Sequence, residues 1–261
     1  MDIDGITLHD LHIEDLQDPL HPSSYEEHGL YRLFILLLPE KLKRRPLVRS
    51  YGFIITDTTV YCYDQEHQGL IVFPGGMYGI HQMLDEKIDP IMDDVEKVTD
   101  KIAALEEGLY KKVSFVFMEK WHDLKKELSR SELLLRKAVD TLERFIIKTK
   151  GTKHFPLNEF NDLHEHLERT LRSVAAASIQ LDNLYYYYNL RSSDRLNRSI
   201  YVLTVISVIF LPLNLVVGFF GMNTGGLPFQ KHPAGTAYAF VTMIFFAVIL
   251  AAAILLKLKK E

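Results

Sequence analysis

"YVLTVISVIFLPLNLVVGFFGMN", residues 201–223, decides how the rest of this 261-residue chain is read. From Ile200 to Phe220 the sequence is almost wholly apolar. About 21 residues at 1.5 Å each cross a hydrocarbon core of roughly 30 Å. No Asp, Glu, Lys or Arg occurs between Ser199 and Gln230. A second apolar run, Ala237 to Leu256, follows a loop that contains Gly225, Gly226 and Pro228. Two spans joined by a short loop form a hairpin with both ends on one side. Arg191, Arg195 and Arg198 precede the first span and Lys257, Lys259 and Lys260 follow the second, whereas the loop holds only Lys231 and His232. The positive-inside rule therefore predicts cytoplasmic termini and an outward-facing loop.

Outward from the hairpin, the composition changes. Before residue 198 the chain is rich in Asp, Glu, Lys and Arg, and its net charge of -4 argues against nucleic acid as a partner. Cys62 is the single cysteine, which excludes an internal disulfide and a cysteine-based zinc site. The opening stretch "MDIDGITLHDLHIEDLQDP" has no basic region followed by an apolar one, so no signal peptide is expected. Between Tyr31 and Phe73, "LYRLFILLLP", "VRSYGFIIT", "TVYCYD" and "GLIVFP" read as strands, with "TDTT" as a hairpin turn. His81–Gly108 and Ser114–Lys148 place apolar residues three and four apart, the spacing of helices. After "KGTKHFPLN", with Asn158 as the expected N-cap, nothing interrupts a helix until Pro212. One helix from about Glu159 to Gly218 is therefore predicted, too long to stand without bundling.

The fold class expected is α+β, a small sheet plus long helices, followed by the C-terminal two-helix transmembrane hairpin. The corresponding organisation is a cytoplasmic domain over 1–157, a stalk helix over 158–198, a first membrane helix over 199–221, a loop over 222–235, a second membrane helix over 236–257 and a tail over 258–261.

At 100° per residue, Asn197, Ile200, Leu203, Thr204, Ser207, Leu211, Asn214 and Gly218 fall within a stripe about 120° wide. Nearly every small or polar residue of the span lies in it. Lipid cannot satisfy polar groups, so such a stripe faces either packed helices or a water-filled path. One hairpin cannot enclose a path, and the second reading requires a homo-oligomer of cyclic symmetry.

The segment Tyr201–Asn223 resembles the first membrane helix of the CorA family of divalent-cation channels and transporters, including its Gly-Met-Asn signature at Gly221, Met222 and Asn223. "FNDLHEH", residues 160–166, is similar to an acidic stretch of that family's long helix. The resemblance implies a funnel-shaped homopentamer in the inner (plasma) membrane, with first helices lining a pore and second helices outside. It implies divalent cations as cargo, the lipid bilayer as surroundings and no enzymatic cofactor. It places Ile200 and Leu203 at hydrophobic-gate positions and Asn197 in a polar ring at the cytoplasmic mouth. It also makes the acidic start of the stalk, with Asp162, Glu165 and His166, a regulatory metal site. Rings of Asn223 would offer neutral oxygens to a hydrated ion, holding it without trapping it.

Three departures stand out. Asn214 takes the place of a threonine, and Tyr186, within "LYYYYNL", takes the place of an acidic residue, with Asp182 or Asp194 as substitutes. The loop "TGGLPFQKHP" carries no carboxylate and is more similar to the ZntB branch, associated with zinc. Zn2+ and Mg2+/Co2+ both stay open as cargo, with a lean to Zn2+. The four tyrosines read as packing residues, and His164 and His166 as surface residues. No nucleophile–base pair marks an enzyme, and no G-x-x-x-x-G-K-[ST] segment marks a nucleotide site. A membrane-anchored sensor or interaction protein without transport is the alternative.

Overall fold

The structure is a computed structural model that describes residues 2–3, 5–41, 47–64, 67, 69–111, 116–153, 155–222 and 232–258. By compactness the chain divides into Met1–Tyr188 and Asn189–Glu261.

The first unit is built on one sheet. β3 (Ser24–His28), β4 (Tyr31–Lys41), β5 (Leu47–Ile55), β6 (Val60–Asp64) and β7 (Gly69–Val72) pair in that order, each antiparallel to the next. The predicted hairpin turn is closed by Thr56, whose N–H donates to the Thr59 carbonyl at 2.9 Å. β4 owes its unbroken apolar run to burial on both faces. Phe34, Leu36 and Leu38 join Phe53 and Ile55 in the main core, while Leu33 and Ile35 join Ile54 and Tyr61 in a smaller one.

The smaller core is covered by elements that the sequence reading missed. β1 (Asp2–Ile3) and β2 (Ile6–Thr7) form a short antiparallel pair, and α1 (Asp10–Gln17) lays Leu16 on the sheet. Its contact explains a glycine in the strand. A Cβ at Gly52 would collide with Leu16 Cδ2 and push that side chain aside, so the glycine leaves room for Leu16 to seat against the strand.

The opposite face carries α2 (Gly76–Lys111), α3 (Val116–Thr149) and the first half of α4 (Leu157–Phe220). α2 buries Ile80, Leu84, Ile88, Ile91, Val95, Val98, Ile102, Leu105 and Leu109. α4 buries Phe160, Leu163, Leu167, Thr170, Val174, Ala177, Leu181 and Leu184. Both sets run in steps of three and four, the seam of a helical bundle. At the sheet end Phe145 stacks on Phe34 at 4.3 Å and meets Phe160 edge-on at 5.3 Å.

α4 starts earlier than predicted. The Phe160 N–H donates to the Pro156 carbonyl at 3.1 Å, so Asn158 lies inside the first turn and is not the cap. Because α4 packs on α2 and α3, compact structure continues past residue 157 to Tyr188. The tyrosine run splits by face. Tyr185 stacks on Trp121 at 4.7 Å and Tyr188 on Phe117 at 4.6 Å, while Tyr186 is 66% exposed. The second unit contains the rest of α4 and α5 (Gly235–Leu258).

Candidate cation path and cation cluster

From Ile200 to Phe220, α4 is long and apolar enough to cross a membrane, and no side chain in it is buried. Leu211 and Leu215 are 71% and 72% exposed, a state that water would penalise and lipid would not. The exposure is uneven around the helix. Asn197, Ile200, Leu203, Thr204, Ser207, Leu211, Asn214 and Gly218 are all exposed. The half-covered positions are Val205, Ile209, Pro212, Leu213, Val216 and Phe220, which project from the opposite side at 100° per residue. Within this unit the helix available to cover them is α5, whose own half-covered positions, Gly235, Ala239, Thr242 and Met243, lie along one face. The small and polar stripe is thus the bare one.

Its hydroxyls are satisfied within the helix. Thr204 Oγ1 donates to the Ile200 carbonyl at 2.8 Å and Ser207 Oγ to the Leu203 carbonyl at 2.9 Å. With their protons so committed, these oxygens turn lone pairs outward, toward cations or the hydrogens of water. Pro212 lies inside α4, and its missing N–H withdraws the usual helical donor from the Val208 carbonyl.

The two glycines of the segment differ in cause. A Cβ on Gly221 would sit 3.1 Å from the Val217 carbonyl oxygen, which accepts the Gly221 N–H at 2.9 Å as the helix ends. Around Gly218 a Cβ would meet no atom of the described residues within 4 Å beyond its own helix backbone. No described residue calls for glycine there. Met222 is exposed, its N–H donating to the Phe219 carbonyl at 3.4 Å. Asn223, the loop to residue 231, and Lys259 and Lys260 lie outside the described residues.

A second constellation sits near the start of α4. Asp85 and Asp89, one turn apart on α2, and His166 on α4 bring one ligand atom each within 4.8 Å of one another. His166 approaches Asp85 at 3.8 Å through Nδ1 and Asp162 at 3.8 Å through Nε2. Two carboxylates and an imidazole make a donor set suited to a divalent cation. Of the three residues predicted from sequence, His166 is central and Asp162 flanks it. Glu165 turns to Arg169 at 3.1 Å instead. His164 and His166 are half-buried, correcting the surface assignment, and His164 lines a groove with Glu143, Lys150 and Asn161.

Asp85 and Asp89 were missed. Their i,i+4 spacing was visible in "DEKIDP", but their partner on a distant helix was not. Asp182, named as a substitute acid near Tyr186, is held by Lys125 at 2.7 Å, so its charge is already answered within the chain. Deeper in the bundle, burial pushes the Glu127 carboxyl above its usual range, with Lys101 at 3.9 Å only partly offsetting it.

Comparisons with known proteins bear on both constellations. Residues 76–260 match the family model described as CorA-like Mg2+ transporter protein. The chain is 26% identical over 187 residues to the cobalt/magnesium transport protein CorA of Thermotoga maritima, covering 70% of this chain and 53% of that one. It is 20% identical over 184 residues to the zinc transport protein ZntB of Vibrio parahaemolyticus, covering 70% and 56%. The chain spans about half the length of the curated relatives it matches. In three dimensions it resembles the complete structure of the CorA magnesium transporter from Methanocaldococcus jannaschii, with a TM-score of 0.76 at 20% identity over 95% of this chain and 83% of that one. That likeness includes the small antiparallel sheet and long helices of the α+β fold.

Proposed function

The chain belongs to the family of CorA-like Mg2+ transporter proteins, and on that premise we propose that it carries a divalent metal cation across the inner membrane. The first apolar helix lines the path in a homopentamer, the second lies outside it, and the Gly221-Met222-Asn223 loop forms the recognition ring.

One observation carries this reading. The small and polar stripe of α4 is the face left bare, and Gly218 within it meets no atom of the described residues beyond its own helix backbone. A helix that merely anchors a domain has no use for such a face. A ring of copies turns it inward, where Asn214, Ser207 and Thr204 meet water and the missing side chain at Gly218 leaves width. Ile200, Leu203 and Leu211 then form apolar rings able to close the path by shedding water. An inside-negative potential supplies roughly 4.6 kcal/mol per 100 mV to an entering dication, so a passive path suffices for uptake.

The relatives that match include a cobalt/magnesium transporter and a zinc transporter. We assign the cargo to the divalent class, Zn2+ or Mg2+/Co2+, with the carboxylate-free loop favouring Zn2+. Asp85, Asp89 and His166, with Asp162 beside them, serve as a regulatory cation site. A cation there would relieve repulsion between carboxylates and hold the closed form.

The test is flux into proteoliposomes. Mg2+, Co2+, Ni2+ and Zn2+ are compared for wild type and Asn223→Ala, with and without a proton gradient. Wild-type flux that the variant loses supports the path, and the ion ranking identifies the cargo. Absence of flux in folded, oligomeric protein would overturn it and leave a membrane-anchored sensor.

A further inference from the structure

The first unit contains a second histidine constellation, apart from the stalk and from the membrane helices. His9 caps α1, His12 follows one turn later, and His28 ends β3. Folding brings the three rings together, with centroids 5.6 Å apart for His9–His12, 5.9 Å for His9–His28 and 5.4 Å for His12–His28. Three imidazoles bound to one tetrahedral zinc, at Zn–N distances of about 2.0–2.1 Å, have centroids about 5 Å apart. The triad is already close to that spacing. What differs is orientation, because His12 and His28 now meet edge to face at 89°. Rotation about the Cβ–Cγ bond re-aims a ring's nitrogens and leaves its centroid nearly in place.

The surroundings supply a fourth ligand and a support. Glu26 and His28 are two apart on β3 and project from the same face. Glu26 Oε2 lies 3.1 Å from His12 Nε2, close to the ~3.3 Å edge of a tetrahedral zinc site. His12 is 7% exposed and forms the floor, while His9, His28 and Glu26 are open to solvent. The buried Tyr31 hydroxyl lies 2.8 Å from His12 Nδ1 and accepts the His9 backbone N–H at 3.1 Å. It thereby ties two of the ring-bearing residues to one point, the outer-shell arrangement that fixes metal-binding imidazoles.

We propose that His9, His12, His28 and Glu26 form a binding site for a divalent transition-metal ion of the Zn2+ class, and not for Mg2+. Imidazole nitrogens suit zinc, cobalt and nickel, whereas Mg2+ demands oxygen ligands and retains its waters. Without metal, His12 can donate Nε2–H to Glu26 and accept the Tyr31 hydroxyl proton at Nδ1. On binding, His12 changes tautomer with no net loss of protons: solvent takes the Nε2 proton and returns one to Nδ1, Nδ1–H then donates to the Tyr31 oxygen, and the Nε2 lone pair takes the ion beside the Glu26 carboxylate. His9 gives up the long contact of its Nδ1 with the Leu11 N–H, at 3.3 Å. The site is independent of the transport reading, since a chain that moved no ion would still bind metal here.

The experiment uses the full chain in detergent, stripped of metal and titrated with CoCl2 in excess Mg2+. Four-coordinate Co2+ absorbs strongly in the visible, whereas hydrated six-coordinate Co2+ is nearly colourless. Wild type is expected to develop the band to one equivalent per chain and lose it to equimolar Zn2+. The double variant His9→Gln, His28→Gln removes two exposed ligands and is expected to melt at the unchanged temperature without metal. Its Co2+ affinity should fall at least tenfold. Asp85→Asn and Asn223→Ala should leave the band intact, separating this site from the others. No band in wild type, an undiminished band in the double variant, or a band that excess Mg2+ removes would each overturn the proposal.

Discussion

Between Phe160 and Leu184, α4 buries a side chain at every third or fourth position. Between Ile200 and Phe220 the same helix buries none. The first stretch interleaves charges with its apolar seam, and α2 and α3 cover that seam. The second is apolar on nearly all sides and is covered only in part, along the face opposite its polar stripe. The difference teaches what each stretch requires from outside. The first has its packing partners within the chain, so its substitutions report on stability. The second lacks such cover, and under the proposed function it takes its partners from lipid and from other copies, so its substitutions should report on association and flux.

The largest effect expected is on the covered side. Phe160 is fully buried among Phe145, Phe155 and His81, and Phe160→Ala leaves a cavity there. It should cost about 3–5 kcal/mol, measured by chemical denaturation of the first unit's secondary structure. A loss below ~1 kcal/mol would mean that this stretch of α4 is not packed as described.

Next comes a buried charge. Glu127 is 5% exposed and its carboxyl titrates above the ordinary range because burial disfavours the anion. A raised carboxyl gives stability that is fully present below the unfolded value, about 4.3, and is lost as pH rises through the folded value. Glu127→Gln should therefore raise the melting temperature at neutral pH and flatten its decline between mildly acidic and neutral pH. An unchanged pH profile would contradict the burial.

A smaller loss is expected at Trp121. Its Nε1–H donates to the Leu181 carbonyl at 2.9 Å, fastening α3 to α4. Trp121→Phe keeps a ring against Tyr185 but removes the donor, at a cost of about 1–2 kcal/mol. Thermal melting with equal expression of both proteins reads it.

How much of this was legible beforehand depends on how local each signal is. Four of the five strands of the sheet, β4 to β7, and the seams of α2 and α3 showed in the sequence because their periods are properties of one element, whereas β3, with its polar Ser24–His28, did not. The stripe from Asn197 to Gly218 showed for the same reason, as did the helix carrying it. α1 did not, being eight residues with scattered apolar positions, and its place became clear only where Gly52 admits Leu16. The clusters were least legible. Asp85 and Asp89 meet His166, and His28 meets His9 and His12, only through tertiary packing of separate elements. Spacing along the chain contains no trace of those distances.

The smallest stability effect is expected in the uncovered stretch, and it separates the two regions most directly. Ser207 donates to its own helix at the Leu203 carbonyl and is exposed. Ser207→Ala removes a hydroxyl that, among the described residues, only its own helix uses. Alanine is the better helix former, so the change in melting temperature should be slight and upward, equivalent to no more than about 0.5 kcal/mol. Flux should fall all the same if the stripe faces the path as proposed, because the hydroxyl's outward lone pairs belong to that stripe. Val216→Ala, on the opposite face, serves as the control, and its flux should stay near wild type. If Ser207→Ala and Val216→Ala behaved alike in flux, the stripe would be no more than a helix-packing surface, and the contrast between its two faces would lose its functional meaning.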